Sequence, residues 1–288
     1  MASIIDIKRR KASVESTGQI TKAMKLVSTV KLQRAKQRAD ESKAYFNKMY
    51  ETISSILAKA GNINHPYLQE NGSTKKGIIT ISSNRGLAGG YNNNIVKLIR
   101  DSGMNKEDIM IYAVGHKAMD TLKHRGYEIV SDDSEMINEP VYDDARILGE
   151  KLLKAFEDGE IGEIYLAYTD FKNTVVHEPK LVKLLPIEND QQANEEKSES
   201  KAPMNFEPEP EEALSLLIPK YICSMIYGAL VTSVASENGA GNGFCDKQCR
   251  RDDLKLRTCI QPSKTGSNHT RINRDHFRSR SPEVMDLI

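Results

Sequence analysis

Three groupings of residues in this 288-residue chain could do chemistry. The first is SNRGLAGGYNNN, residues 83–94, a glycine- and asparagine-rich turn between an apolar run and a helix-like stretch. Strand, glycine turn, helix start is how phosphate-binding loops are built, because free backbone N–H groups there attract anions. The glycines at 86, 89 and 90 match neither the dinucleotide fingerprint nor the P-loop, and no Lys-Ser/Thr pair follows them. A structural turn that lets backbones approach closely is the first reading, and phosphate binding the alternative. The second grouping is the carboxylate pairs Asp132/Asp133 and Asp143/Asp144, which read as turn and helix-start residues rather than a catalytic pair. The third is Cys245, Cys249, Cys259, His269 and His276, whose spacings fit no standard zinc finger. His116, His124 and His177 have no partner at metal-ligand spacing, and no Ser/His/Asp or Cys/His set is present. The expectation is a chain with no catalytic centre, no cofactor and no metal.

The elements that would position these residues are of two kinds. Between residues 4 and 48 there is no proline and one glycine, Gly18, while apolar residues recur at Ile7, Val14, Ile20, Ala23/Met24, Val27 and Val30. Such three- and four-residue steps make one apolar stripe on a helix. Residues 1–50 carry 12 Lys+Arg against 4 Asp+Glu, in a chain whose net charge is +1. A rod of this length spans about 65 Å, and a narrow stripe on it suits one helical partner. That partner is expected at residues 209–240. Pro210 stands where a first turn tolerates it, with Glu211 and Glu212 behind it. Leu214, Leu217/Ile218, Tyr221/Ile222, Met225/Ile226, Ala229/Leu230 and Val234 then form a heptad-like seam, with Pro219 a point of loosening. Two such segments far apart in sequence predict an antiparallel helical pair.

The middle alternates. Strands are expected over 77–83, 108–115, 127–130, 163–168 and 175–185, with helices over 93–101, 116–124 and 142–156. That order predicts an α/β domain with a mostly parallel sheet. Residues 188–212 hold 9 acidic residues, 2 basic residues and 3 prolines, which reads as an exposed loop. The resulting division is 1–58 (N-terminal helix), 70–187 (α/β domain), 188–208 (acidic loop), 209–240 (C-terminal helix) and 241–288 (irregular tail).

Composition narrows the class. With 39% hydrophobic residues, no Trp and 28% charged residues, the chain suits long solvated helices better than a compact enzyme. No run of 18 apolar residues predicts a membrane span. The start MASIIDIKRRK lacks the apolar core of a signal peptide, and four cysteines without a disulfide framework suit a reducing compartment. Two rival classes are a nucleic-acid-binding protein, on the basic helix, and a nucleotide-dependent enzyme, on the central domain. The first is weakened by the absence of aromatics before Tyr45.

IKRRKASVESTGQITKAMKLVSTVKLQRAK, SSNRGLAGGYN and LIPKYICSMIYGALVTSVASENGA together resemble the gamma subunit of F-type, proton-translocating ATP synthase over residues 1–240. The resemblance implies an antiparallel coiled coil of the N- and C-terminal helices with a Rossmann-like α/β domain at its foot. It implies a non-catalytic central rotor shaft that couples proton flow through the membrane sector to ATP synthesis. The implied partners are the alpha–beta hexamer, the epsilon subunit and the membrane ring of c subunits, with no nucleic acid and no direct membrane span. The implied location is the cytoplasmic side of a bacterial cell membrane, peripherally. By the same resemblance Ile20, Thr21, Met24, Lys25, Val27 and Ser28 face the hexamer, and Arg85, Gly86, Gly89 and Gly90 belong to the foot, beside epsilon and the ring.

The resemblance stops after Ala240. A family member would continue as an apolar-striped helix, whereas residues 257–282 show no helical period and contain Pro262, Gly266 and Pro282. Back-translation of 261–270 permits a one-base-later reading NRARQAAIT, and of 242–251 the reading MDSATSNAE, both family-like. The expectation is a frameshifted tail, and a shaft that lacks its pairing helix beyond residue 240.

Overall fold

The computed structural model describes residues 4–59, 65–86, 88–173, 176–187 and 211–241. The chain divides into two compact units, residues 1–26 with 245–288, and residues 27–244. Helix α1 runs Ile4–Lys59. In its described part in the first unit the threonines lie back on the helix: the hydroxyls of Thr17 and Thr21 donate to the carbonyls of Ser13 (2.8 Å) and Thr17 (2.9 Å).

The second unit is built on a five-stranded sheet. The strands are β1 (Lys76–Ile81), β2 (Ile109–Val114), β3 (Glu128–Asp132), β4 (Glu163–Phe171) and β5 (His177–Leu185), and their order across the sheet is β3-β2-β1-β4-β5. β1 pairs in parallel with β2 and β4, β2 pairs in parallel with β3, and β5 returns antiparallel along β4. Helices α2 (Tyr91–Arg100), α3 (His116–His124) and α4 (Tyr142–Glu157) connect the parallel strands. The last helix, α5 (Glu211–Gly241), passes through Pro219 without a break in its helical assignment.

Successive strand residues point to opposite faces. Ile78, Ile109 and Ile111 meet Ile95, Ile99 and Leu122 of α2 and α3 on one face. On the other, Ile79, Ile81, Ile164 and Leu166 share a cluster with Leu148 and Phe156 of α4. Into that same cluster go Met49, Ile53 and Ile56 of α1 and Leu214, Ile218, Ile222, Ile226 and Leu230 of α5. Each such side chain contributes about 1.5–3 kcal/mol by leaving water. α4 comes close enough to α5 that a Cβ at Gly149 would stand 2.8 Å from Cys223 Sγ.

α1 and α5 run antiparallel. Leu32 and Ala35, early in the second unit's part of α1, pack with Ala235 late in α5. α5 is more than a coiled-coil strand, however. Cys223, Ser224, Val231, Ser233 and Ser236, which lie between the seam positions, are buried as well. The helix is long and apolar enough by composition to cross a membrane. Its double burial, against α1 and against the sheet, accounts for that composition.

Candidate functional site

In an open α/β sheet, ligands settle outside the carboxyl ends of the strands, where the strand order reverses. Here the chain winds outward from β1 to β3 and then returns to β4 on β1's other side, so the reversal lies between β1 and β4. That crevice is filled from within. The Thr169 N–H of β4 donates to Ser233 Oγ (3.4 Å), and Ser236 Oγ donates back to the Thr169 carbonyl (3.2 Å). The Tyr91 hydroxyl, at the start of α2, donates to the Ser233 carbonyl (3.2 Å). Tyr91, Thr169, Ser233 and Ser236 are all buried. α5 occupies the place a nucleotide would take.

The glycine loop is closed by its own side chains. Asn92 Oδ1 accepts the Ser83 N–H (3.0 Å), Asn92 Nδ2 donates to Ser83 Oγ (2.8 Å), and Ser83 Oγ donates to the Arg85 carbonyl (2.6 Å). Asn84 donates to the Ser134 carbonyl (2.7 Å) and accepts the His116 N–H (3.1 Å). The next two N–H groups of α3, of Lys117 and Ala118, go to Ser83 O and Ser82 Oγ, both at 3.1 Å. The first three N–H groups of α3 are thus engaged by the end of β1 and the loop, which fixes the loop against α3.

Outside the loop the remaining candidate groups are structural. Asp143 lies 3.7 Å from Arg146 in the first turn of α4, where the helix dipole favours it. Asp132 accepts the Ser134 N–H (3.2 Å) in the turn after β3. His124 Nδ1 lies 2.6 Å from the Asp120 carbonyl. Buried His65 stands 2.8 Å from Ser215 Oγ. Its Nδ1 accepts the Tyr67 N–H (3.2 Å), so the proton sits on Nε2 and points at the serine. A base with that tautomer cannot activate the hydroxyl. Cys245, Cys249, Cys259, His269 and His276 lie outside the described residues.

The expected interface residues fall on two surfaces. On α1, Ile20 (60% exposed), Met24 (49%) and Val27 (59%) stand in solvent with Lys25, while Thr21 and Ser28 are half-buried. Two neighbours widen the stripe, Leu26 (66%) and Val30 (49%). Leu26 lies off the three–four spacing; the adjacent pair Leu26–Val27 is the signal that marks it. In the loop, Arg85, Gly86, Gly89 and Gly90 are all exposed. Ile20, Thr21, Met24 and Lys25 belong to the first unit; Val27, Ser28 and the loop residues belong to the second.

One functional candidate has no counterpart in the sequence reading. Glu237 is the only charged residue of α5 after Lys220. Its carboxyl is pushed up to about 7 by burial, against the pull of Lys31 on α1 and Arg85 in the loop. Its signal was a lone charge in a run of small and apolar residues.

The family model described as ATP synthase matches residues 3–242. The ATP synthase gamma chain of Lachnoclostridium phytofermentans is 59% identical over 245 residues, 83% of this chain and 84% of that one. The chain belongs to the ATP synthase gamma family. The sodium-ion-specific ATP synthase gamma chain of Acetobacterium woodii is a more distant member, 35% identical over 253 residues, with the same shares of each chain covered. The gamma fold extends further. A chain in the central stalk and c-ring structure of the Tetrahymena thermophila mitochondrial ATP synthase aligns with a TM-score of 0.58 at 22% identity, over 80% of this chain and 99% of that one. One from the Euglena gracilis mitochondrial enzyme aligns with the same score at 15% identity, over 98% and 99%. The gamma family match ends two residues beyond Ala240, where the sequence departs from the family pattern.

Proposed function

We propose that this chain is the central rotor shaft of an ATP synthase, coupling ion flow through a membrane ring to ATP synthesis on an alpha–beta hexamer, with no catalytic site of its own. The observation that carries this is the exposure of large apolar residues on a long basic helix, Ile20, Met24 and Leu26 in the first unit and Val27 and Val30 in the second. Such apolar area is costly in water and is what a surrounding partner would cover. The α1 residues Ile20, Thr21, Met24, Lys25, Val27 and Ser28 serve the hexamer. The loop residues Arg85, Gly86, Gly89 and Gly90 serve the epsilon subunit and the c ring. Residues 1–58 and 209–240 act as the shaft, 70–187 as the foot, with 188–208 and 241–288 outside both. The complex sits peripherally on the cytoplasmic side of a bacterial cell membrane.

ATPase assays test the reading. The purified chain alone should hydrolyse no ATP, and activity should appear when alpha and beta subunits are added. Substantial hydrolysis by the chain alone would overturn it. The altered tail impairs rotation in this reading. Replacing residues 241–288 with the corresponding segment of the 59% identical relative should raise the coupled rate, and an unchanged rate would show that the tail costs nothing.

A further inference from the structure

We propose that the groove enclosed by α1, α5 and the β4–β5 pair binds a nucleoside polyphosphate, at a place apart from the filled crevice between β1 and β4. The cavity measures about 510 Å³ and lies wholly within the second unit. Sites for small organic ligands occupy about 300–1,000 Å³, so inorganic phosphate alone would leave this one largely empty. It exists because the two helices stop filling the space between them. Toward one end Leu32 and Ala35 close on Ala235. Toward the other, Met49 and Ile53 share the cluster that holds Leu214 and Ile218. Between these contacts the lining residues include small ones, Ala39 on α1 and Gly228 and Ala229 on α5.

The charges of the groove favour an anion. Four lysines line it against two aspartates. Lys172 and Lys180 are committed, because Asp170 lies 3.3 Å from Lys172 Nζ and 2.6 Å from Lys180 Nζ. Lys36 and Lys43 are not. They lie on one face of α1, about a turn to either side of Asp40, and enter no ion pair or hydrogen bond among the described residues. An entering anion therefore meets two lysines with unshared charge, with Asp40 as the opposing carboxylate. Two hydroxyls add neutral donors. Burial pushes the pKa of Tyr168 up, so its hydroxyl keeps its proton, and Thr232 lines the α5 side.

The remaining walls suit an aromatic group. Phe171, Met225 and Ala229 line the same cavity, and Phe171 is half-buried beside the His177 ring, 5.8 Å away between centroids. Nucleobases stack on aromatic side chains whatever their sequence. Phosphates on Lys36 and Lys43 with a base against Phe171 and Met225 use both halves of the groove. A bare polyphosphate would use only the lysines, and an uncharged nucleoside only the apolar side. Bound there, the ligand bridges α1, α5 and β4.

The inference goes beyond the rotor reading, and equilibrium dialysis of the full-length chain tests it without alpha or beta subunits. ATP should bind saturably, with tripolyphosphate and adenosine each at least about tenfold weaker. K36Q/K43Q, at two exposed positions, should weaken ATP about tenfold, and D40N should tighten it about threefold. These variants touch no buried residue, so their melting temperatures without ligand should match the parent's. A39F, which fills the groove and leaves its charges in place, should abolish binding. Hydrogen exchange of amides 36–43 should slow when ATP is bound. Absence of saturable ATP binding would overturn the proposal. So would tripolyphosphate binding as tightly as ATP, the mark of charge attraction alone, or parental affinity in K36Q/K43Q, which would put the nucleotide elsewhere. A chain that binds ATP in this groove but supports no hydrolysis with alpha and beta subunits would count against the rotor reading and leave this inference standing.

Discussion

Asn92 grips Ser83 in both directions: its carbonyl takes the serine N–H at 3.0 Å, and its amide donates to the serine hydroxyl at 2.8 Å. This one pair joins the first turn of α2 to the end of β1 and sets the path of the glycine loop between them. Asn92→Ala leaves the buried Ser83 N–H without its acceptor, which should cost about 1–3 kcal/mol. Asn92→Asp keeps the acceptor and should recover part of the loss. Urea unfolding of the three proteins checks both statements.

Gly115 stands at φ +111°, and a Cβ there would meet the Ser82 carbonyl at 2.1 Å. Backbone cannot yield as a side chain can, so Gly115→Ala should destabilise by more than about 3 kcal/mol. Gly86 has open space around it and an ordinary φ. Gly86→Ala should change stability by less than about 0.5 kcal/mol. Thermal melts of the two variants should separate clearly; equal melting points would contradict the geometry.

His65 ties the chain after α1 to the start of α5. Burial lowers its pKa, with Glu211 opposing. A depressed histidine contributes stability that is present above its unfolded pKa of about 6.5 and is lost as pH falls through the folded value. The bond from the Tyr67 N–H requires an unprotonated Nδ1, which gives the same sign. The urea midpoint should therefore fall on acidification below about pH 6.5, and His65→Gln should flatten that part of the profile.

The first turns of α1 carry Ile5 and Ile20 in solvent. Each such side chain forgoes about 1.5–3 kcal/mol of burial. Amides 5–20 should exchange rapidly in the isolated chain and slowly in a complex with alpha and beta subunits. Strong protection in the isolated chain would show that another segment covers them.

Much of this was legible in the residues. The helix at 116–124 matches α3 at both ends because Gly115 opens it and the following Arg125–Gly126 turn closes it. The strands were readable because both sheet faces are covered, which makes their apolar runs continuous. α5 was legible on one side only. Heptad spacing exposes the face toward α1, while the small residues Cys223, Ser224, Ser233 and Ser236 show no period. Only the fold reveals that Cys223 lies against α4 and that Ser233 and Ser236 bond to β4. The glycine loop's closure was hidden for a similar reason. Asn84 reaches Ser134, 50 residues away, and no local pattern announces such a bond.

α5 serves at once as a strand of the shaft and as the roof of the sheet. The two jobs share one covalent rod, so there is no joint at which twist could be absorbed between them. Compliance in the shaft cannot be adjusted by substitution along α5 without also loosening the foot. An engineer who wanted a softer rotor would have to work in the part of α1 before Met49, because Met49, Ile53 and Ile56 share the sheet's cluster with α5.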